Sequence, residues 1–302
     1  MISLTDFRSG FVAVIGRPNV GKSTLVNSMT GQKVAIISDK PQTTRNRIQA
    51  VLTRDSYQIV FVDTPGIHKP KNKLGQYMVK AAKSSLDDMD LILFLVDAAA
   101  GIGTGDRMIT ESLKDSRAPV VLVANKMDIA DREKAKEELE ALYKSASFAS
   151  MIEISAATQM NLGQLEQVIC SYLEPGPKYY PDDMVTDQPE RVIIGELIRE
   201  KALQLLKEEV PHGIGVEIEA IEERADSDLI DVRAAIICEK ESHKGIVIGK
   251  RGSMLKNIGS RARQDIEGLL ASRVYLDLFV KVKKDWRNNQ RVLNDLGYDL
   301  RK

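Results

Sequence analysis

The chain is predicted to be an α/β protein: a mostly parallel six-stranded sheet covered by helices, followed by a smaller α+β domain. Three observations predict it. Unbroken apolar runs of strand length alternate with helix-like stretches as far as residue 173, the pattern of strands buried on both faces. A glycine-rich turn stands between the first apolar run and the first helix. A proline-dense break, Pro175-Gly176-Pro177 to Pro181, then separates this region from a C-terminal part with a different rhythm.

The first strand is Phe11–Ile15, and the helix Lys22–Met29 follows it. Ile48–Thr53 and Tyr57–Val62 are separated only by Arg54-Asp55-Ser56, so they predict a hairpin that adds one antiparallel edge. Leu91–Val96, Val120–Ala124 and Met151–Ile154 complete the sheet. Helices over Leu74–Asp88, Thr104–Ser116, Arg132–Ser145 and Gly163–Leu173 cover it. The domain limits that follow are 1–175, a Pro-rich linker over 176–189, and 190–302. In the second domain Glu190–Glu209 has helical spacing. Ile214–Ala220, Val232–Cys238 and Val274–Val282 alternate as strands. Lys244–Ile248 and Ser253–Leu270 are helices, and a short helix over Asn288–Leu296 ends the chain. The order α-β-β-α-α-β predicts a three-stranded sheet with helices on one face.

A length of 302 residues suits about two domains, and 43% hydrophobic content is enough for two cores. Basic and acidic residues balance at 43 each, but not locally. Residues 182–239 carry a net charge of −10 and residues 240–302 a net of +8, which points to an anionic partner for the C-terminal end. Cys170 and Cys238 lack metal-ligand spacing and predict buried thiols in a reducing compartment. The N-terminus shows no secretory signal, and apolar runs such as Leu91–Val96 are too short to span a bilayer. A cytoplasmic protein is expected.

Gly16-Arg17-Pro18-Asn19-Val20-Gly21-Lys22-Ser23 fits the phosphate-loop pattern G-x-x-x-x-G-K-[ST], and Thr24 continues the helix it opens. A strand, a glycine-rich turn and a helix start aim several backbone N–H groups at one point, which suits the phosphates of a nucleotide. Lys22 is expected to reach the β- and γ-phosphates, and the Ser23 hydroxyl to bind Mg²⁺. Asp63-Thr64-Pro65-Gly66 ends the third strand: Asp63 is expected to hold Mg²⁺ through water, and the Gly66 N–H to contact the γ-phosphate. In Gln42-Thr43-Thr44-Arg45, Thr44 is favoured over Thr43 as a Mg²⁺ ligand that engages only while a γ-phosphate is present. Residues 39–47 and 63–75 would then form a nucleotide-dependent switch.

Asn125-Lys126-Met127-Asp128 selects the base. Asp128 can accept from both N1–H and the N2 amine of guanine, a donor pair that adenine lacks. Asn125 can meet N7 or tie its loop to the phosphate loop, and Lys126 can lie along the base. A backbone N–H of Ser155-Ala156 is expected to donate to guanine O6. A phosphate-loop ATPase or small-molecule kinase is the competing enzyme class, and Asp128 argues against it.

Gly249-Lys250-Arg251-Gly252 between two helices matches the GXXG loop of a KH domain, which clamps the backbone of about four nucleotides. Ile248 and its apolar neighbours from Gly245 are expected to form the groove wall, and Lys256, Arg261 and Arg263 to add charge. Trp286 is expected in the core rather than as a stacking platform. A second domain that binds only protein is the other reading.

Taken together, these motifs resemble the Era family of bacterial GTPases over essentially the whole chain. The resemblance implies a Ras-like P-loop GTPase domain followed by a type II KH domain, with GTP/GDP and Mg²⁺ bound by the first. It implies binding near the 3′ end of 16S ribosomal RNA, a role in 30S subunit assembly, and peripheral association with the inner face of the cell membrane, for which no sequence signal is visible. A monomer is expected. Ras-like enzymes place a water-orienting glutamine where this chain has Ile67, so intrinsic hydrolysis is expected to be slow. His68 follows it without an evident role. The candidate catalytic set is therefore Lys22, Thr44, Gly66 and Asn19. Asn19 has two readings, a ligand to K⁺ beside the β- and γ-phosphates or a cap of its own loop.

Overall fold

The computed structural model describes residues 7–38, 40, 43–66, 70, 72–84, 88–225 and 227–298. The side chains of 83 and 84 are not among them. Its contacts divide the described residues into two compact units. The first draws on Met1–Ala35, Thr44–Lys69 and Met78–Asp187; the second draws on Ile36–Thr43, Pro70–Tyr77 and Gln188–Lys302.

In the first part of the chain β1 (Arg8–Gly16) leads to α1 (Lys22–Thr30), then β2 (Ile48–Thr53), β3 (Tyr57–Asp63) and α2 (Lys73–Ser84). β4 (Leu91–Asp97), α3 (Thr104–Ser112), β5 (Val120–Asn125), α4 (Arg132–Lys144), β6 (Ser150–Glu153), α5 (Leu162–Tyr172) and a two-residue β7 (Glu174–Pro175) complete it. The sheet order is β2-β3-β1-β4-β5-β6, parallel except for β2. The six expected strands are joined by β7, which pairs antiparallel with the start of β1.

Every residue of β4 and β5 is buried, because helices cover both faces. One core gathers Val12, Val14, Leu25, Leu93, Val123 and Leu165; the other gathers Ala13, Ile15, Ile92, Phe94, Leu122 and Leu139. Alternate residues of one strand serve opposite cores, as a period of two requires. The parallel arrangement puts the ends of β1, β3, β5 and β6 on one edge of the sheet, where α/β folds bind ligands.

The proline-rich stretch after β7 packs on the first unit. Gly176 N–H donates to Phe7 O at 3.0 Å, and Ser9 Oγ to Pro177 O at 2.7 Å. The buried Gln58 accepts the N–H groups of Tyr179 and Tyr180 at 2.8 and 3.0 Å. Further on, Val51 N–H donates to Val185 O at 2.8 Å, so the stretch also supplies partners to the outer edge of β2.

The second unit contains α6 (Glu190–Leu205), β8 (Gly215–Glu223), β9 (Leu229–Cys238), α7 (Glu241–Ile248), α8 (Ser253–Leu270), β10 (Arg273–Val282) and α9 (Gln290–Asp295). Its sheet order is β10-β9-β8, with β10 parallel to β9 and β8 antiparallel to it. Ile194, Leu197 and Ile198 of α6 pack with Val232, Ala234 and Ile236 of β9 and with Ile258, Ala262 and Ile266 of α8. α6 stops four residues short of the expected Glu209. Leu206 and Val210 leave the helix to enter the core, and Pro211 opens a 3₁₀ turn. No helix among the described residues is long and apolar enough to cross a membrane.

Trp286 is fully buried, and its indole N–H donates to Gly213 O at 2.9 Å. Gly215 lies directly beneath the ring, where a Cβ would sit 3.4 Å from it. Trp286→Ala is expected to cost about 3–5 kcal/mol of stability, measured by denaturant unfolding followed by circular dichroism.

Candidate functional site

Three loops at the C-terminal edge of the first sheet build one site. The phosphate loop turns sharply after β1, which requires positive φ at Gly16 (153°), Asn19 (66°) and Gly21 (101°). At Gly16 a Cβ would collide with the Leu95 carbonyl, and at Gly21 with the Asn125 carboxamide, so only glycine fits. Lys22 opens α1, and its ammonium is buried. It donates to the carbonyls of Gly16 and Arg17 at 3.2 and 3.0 Å. Burial pushes its pKa down to about 8, against the pull of Asp63, so an anion at this point would be strongly favoured.

Ser23, Thr44 and Asp63 come from separate chain segments and meet. Ser23 Oγ lies 2.7 Å from Asp63 Oδ2 and 2.9 Å from Thr44 Oγ1, and Thr44 Oγ1 is 3.4 Å from Asp63 Oδ2. Asp63 is fully buried, and its other oxygen, Oδ1, has no hydrogen-bond partner. Burial raises its pKa, opposed by Lys22 and by the hydroxyls of Ser23 and Thr44. Two hydroxyls and an under-satisfied buried carboxylate form a hard oxygen donor set that fits Mg²⁺. Thr43 is not in this cluster; its hydroxyl donates to Lys40 O at 2.6 Å.

Thr64 is buried and donates to Val14 O at 3.0 Å, pinning the start of its loop to β1. Pro65 and Gly66 are buried, and a Cβ on Gly66 would come within 2.9 Å of Pro18, so this loop packs against the phosphate loop. Ile67, His68 and Gln42 lie outside the described residues.

Asn125 at the end of β5 joins three loops. Its Nδ2 donates to Val20 O at 2.8 Å, and its Oδ1 accepts Ala156 N–H at 2.9 Å. Of the two expected uses of Asn125, the tie to the phosphate loop is the one present. The amides of Ser155 and Ala156, expected to offer a donor to guanine O6, have partners within the protein. Ala156 N–H is committed to Asn125, and Ser155 N–H donates to Met160 O at 3.1 Å. Both amides therefore brace the loop. Asp128 is exposed at the edge of the site.

The other motif side chains have the following places. Arg17 points away from the loop's interior: it pairs with the buried Asp106 at 2.7 Å and donates to Gly101 O at 3.0 Å. Only its backbone belongs to the phosphate cradle. Val20 and Met127 are core residues. Thr24 is half-buried on α1, and Asn19 is exposed at the tip of the loop. The sequence reading missed Asp97 at the end of β4. Asp97 holds Lys126 Nζ at 2.6 Å, and the same ammonium donates to Asn19 O at 2.9 Å. Its place at a strand end beside the motif strand was the available signal.

The second unit has its own concave surface. Gly249 and Gly252 both have positive φ (73° and 77°), as does Arg251 (51°), and a Cβ on Gly249 would strike Met254. The loop thereby turns tightly into α8. Beside it a groove of about 490 Å³ runs between α8 and β10. Gly252, Leu255, Lys256, Gly259, Ser260 and Arg263 line one side, and Val274, Tyr275, Leu276 and Leu278 the other. Leu255, Leu276 and Leu278 belong to its apolar lining, and Ile248, half-buried at the end of α7, is not among the lining residues. Val247 is buried in the core, and Ile246 is exposed. Arg261 is held by Asn257 at 3.1 Å, while Lys256 and Arg263 stand at the groove. Tyr275, an exposed aromatic on the groove's rim, was also missed.

Comparisons with known proteins follow the same two-part division. The family described as 50S ribosome-binding GTPase matches residues 11–126, and the KH domain family matches residues 209–287. GTPase Era of Clostridioides difficile is 56% identical over 294 residues, covering 97% of this chain and 99% of that protein. GTPase Era of Clostridium kluyveri is 55% identical over 291 residues, covering 96% and 99%. Among solved structures, a variant of Era from Aquifex aeolicus bound to GDP and AlF₄⁻ superposes with a TM-score of 0.93 at 41% identity, covering 97% of this chain and 100% of its own. Era in complex with MgGDPNP and nucleotides 1506–1542 of 16S ribosomal RNA superposes with a TM-score of 0.94 at 41% identity over the same shares.

Removing the Asn125 carboxamide leaves the buried Val20 carbonyl and Ala156 N–H unpaired. Each orphaned group costs about 1–3 kcal/mol. Asn125→Ala is therefore expected to weaken guanine-nucleotide binding about ten- to a hundred-fold, measured by titration with a fluorescent nucleotide analogue.

Proposed function

This chain belongs to the Era family of GTPases, and from that premise we propose that it is a GTP-hydrolysing switch whose KH unit binds 16S ribosomal RNA near its 3′ end during 30S subunit assembly. The observation that carries the switch is the meeting of Ser23, Thr44 and Asp63, three oxygen donors that only a folded phosphate site would gather. The RNA partner is supported by the Era structure that holds MgGDPNP together with nucleotides 1506–1542 of 16S ribosomal RNA. The groove beside Gly249–Gly252 supports it independently.

Each residue of the site has a task in this reading. The backbone N–H groups from Asn19 to Thr24 surround the phosphates, and Lys22 neutralises charge on the β- and γ-phosphates. Ser23, Thr44 and, through water, Asp63 hold Mg²⁺, which when bound draws charge from the phosphate oxygens. Gly66 supplies an N–H to the γ-phosphate. Asp128 accepts from N1–H and the N2 amine of guanine, with Lys126 along the base in the position that Asp97 and Asn19 O fix. Thr44 engages only while a γ-phosphate is present, so hydrolysis releases the segment that carries it.

Asn19 sits at positive φ at the loop tip, where its carboxamide can join K⁺ coordination beside the β- and γ-phosphates. K⁺ would there take the place of an arginine finger. The protein acts as a monomer in the cytoplasm in this reading. A peripheral pool at the inner face of the cell membrane rests on the family resemblance alone.

Two measurements test the reading. Gly252→Asp puts a negative charge where the RNA backbone approaches; its Cβ meets no atom within 4 Å, and the φ of 77° adds local strain to the loop. It should weaken binding of the 16S 3′ segment by about ten-fold or more and leave GTP binding intact. Unchanged RNA affinity would overturn the KH assignment. Replacing K⁺ with Na⁺ should slow GTP hydrolysis in the native protein and leave Asn19→Ala indifferent to the exchange. A native rate that ignores the exchange would remove K⁺ from the mechanism.

A further inference from the structure

The phosphate loop is held from outside by the connection that follows β4. Arg17, its second residue, sends its side chain out of the loop and across residues 101–106, within the first unit. Arg17 Nε pairs with Asp106 Oδ2 at 2.7 Å, and Nη2 donates to Gly101 O at 3.0 Å. Gly101 is itself anchored: its N–H donates to Asp97 O, at the end of β4, at 3.0 Å.

The connection is shaped around this side chain. A Cβ on Gly105 would come within 2.7 Å of Arg17 Cδ and 3.1 Å of Cγ, and one on Gly103 within 3.3 Å of Nη1. Gly105 lies in the first turn of α3, where glycine weakens a helix. Asp106 is fully buried, and its Oδ1 has no hydrogen-bond partner among the described residues. Asp106 Oδ2 also accepts Gly103 N–H at 2.8 Å, which caps α3. A cap alone needs neither a buried charge nor a glycine inside the helix, and both are destabilising. The guanidinium lying there accounts for both.

What this anchor controls lies inside the loop. The Arg17 carbonyl accepts Lys22 Nζ at 3.0 Å, beside the Gly16 carbonyl at 3.2 Å. Pro18 follows, and a following proline disfavours helical backbone at Arg17. With its side chain fixed outside the loop and its backbone confined, Arg17 keeps its carbonyl aimed at Lys22.

We propose that Arg17 is a positioning residue for phosphate binding: its side chain, anchored on Asp106 and on the Gly101 carbonyl, fixes the backbone carbonyl that places Lys22, and so sets the affinity for the β-phosphate of a guanine nucleotide. The inference rests on the reading of Gly16–Ser23 as the phosphate cradle and adds to it a partner outside that cradle. GDP and GTP both carry the β-phosphate. The anchor is made of Asp106 and Gly101, not of the metal-site residues Ser23, Thr44 and Asp63. The effect should therefore fall on both nucleotides, with Mg²⁺ or without it.

The test measures affinity of the full chain for fluorescent GDP and for a non-hydrolysable GTP analogue, each with Mg²⁺ and with EDTA, alongside the melting temperature. Arg17→Ala should weaken all four about ten-fold, the size of one interaction with a charged group, in a chain that is still folded at the assay temperature. Arg17→Lys, which keeps a charge for Asp106, should recover part of the loss. Asp106→Asn keeps an acceptor for Gly103 N–H, so α3 stays capped, and should match Arg17→Ala. The double variant should be no weaker than the worse single one by more than about two-fold, because the two residues act as one unit.

Nucleotide affinity within two-fold of native in Arg17→Ala, with only the melting temperature lowered, would make the pair structural and overturn the proposal. Losses that multiply in the double variant would overturn it as well. Lys22→Ala in the same assay separates the two claims. If it leaves affinity unchanged, the reading of the phosphate cradle fails and the proposal falls with it. If it is severe and the Arg17 and Asp106 variants are not, only the proposal falls.

Discussion

A carboxylate buried at the end of β3 sets the demand that organises the first unit. Asp63 is fully buried, and burial raises its pKa. What keeps a charge there favourable is the company brought to it: Lys22 from the phosphate loop, the Ser23 hydroxyl beside it, and Thr44 from a segment 19 residues earlier in the chain. Lys22 is itself buried, and burial pushes its pKa down to about 8. The cluster is therefore balanced but incomplete. One carboxylate oxygen lacks a partner, and one cation lacks a strong anion. A nucleoside triphosphate with a divalent cation supplies both missing charges in one ligand, which explains why a fold would tolerate such a site.

The rest of the unit keeps that cluster in place. β1 and β3 are neighbouring parallel strands, so the loops that leave them must meet at one edge. Asn125 joins the phosphate loop to the loop after β6. Asp97 and Lys126 brace it from the side, and Asp106 draws the Arg17 side chain out of the way. Each of these ties spends a polar side chain on a backbone group of another loop rather than on a ligand. The second unit uses a different device. Three positive-φ residues between α7 and α8 expose a glycine-bounded turn above a groove with an apolar floor and basic edges.

Elements defined by periodicity were legible in the sequence. The strands around Phe11–Ile15, Val120–Ala124 and Val274–Val282 alternate or run apolar for their full length, so their existence follows from composition alone. So were the motif residues whose chemistry depends on local spacing, such as Lys22 and Ser23. Partners distant in sequence were not legible. Only its place at a strand end hints at Asp97 as the anchor of Lys126, and nothing local marks Asp106 as the partner of Arg17. The two-residue β7 has no period to detect. The clamp of Gln58 on Tyr179 and Tyr180 depends on a fold that brings residues 121 and 122 positions apart together. The apolar run ending at Ile248 was ambiguous in the sequence, because an apolar run beside a basic loop fits a wall and a core equally well. Burial decides between them, and it places Val247 inside.

The central claim is that the buried carboxylate of Asp63 exists to complete a metal–triphosphate site, and not for stability. It is tested most directly by measuring both thermal stability and Mg²⁺-dependent GTP affinity in Asp63→Asn. The account predicts that the neutral variant melts at or above the native temperature, because an under-satisfied buried charge has been removed. It predicts also that Mg²⁺ no longer tightens GTP binding. A variant that melts well below the native protein yet still binds GTP more tightly in Mg²⁺ would contradict it.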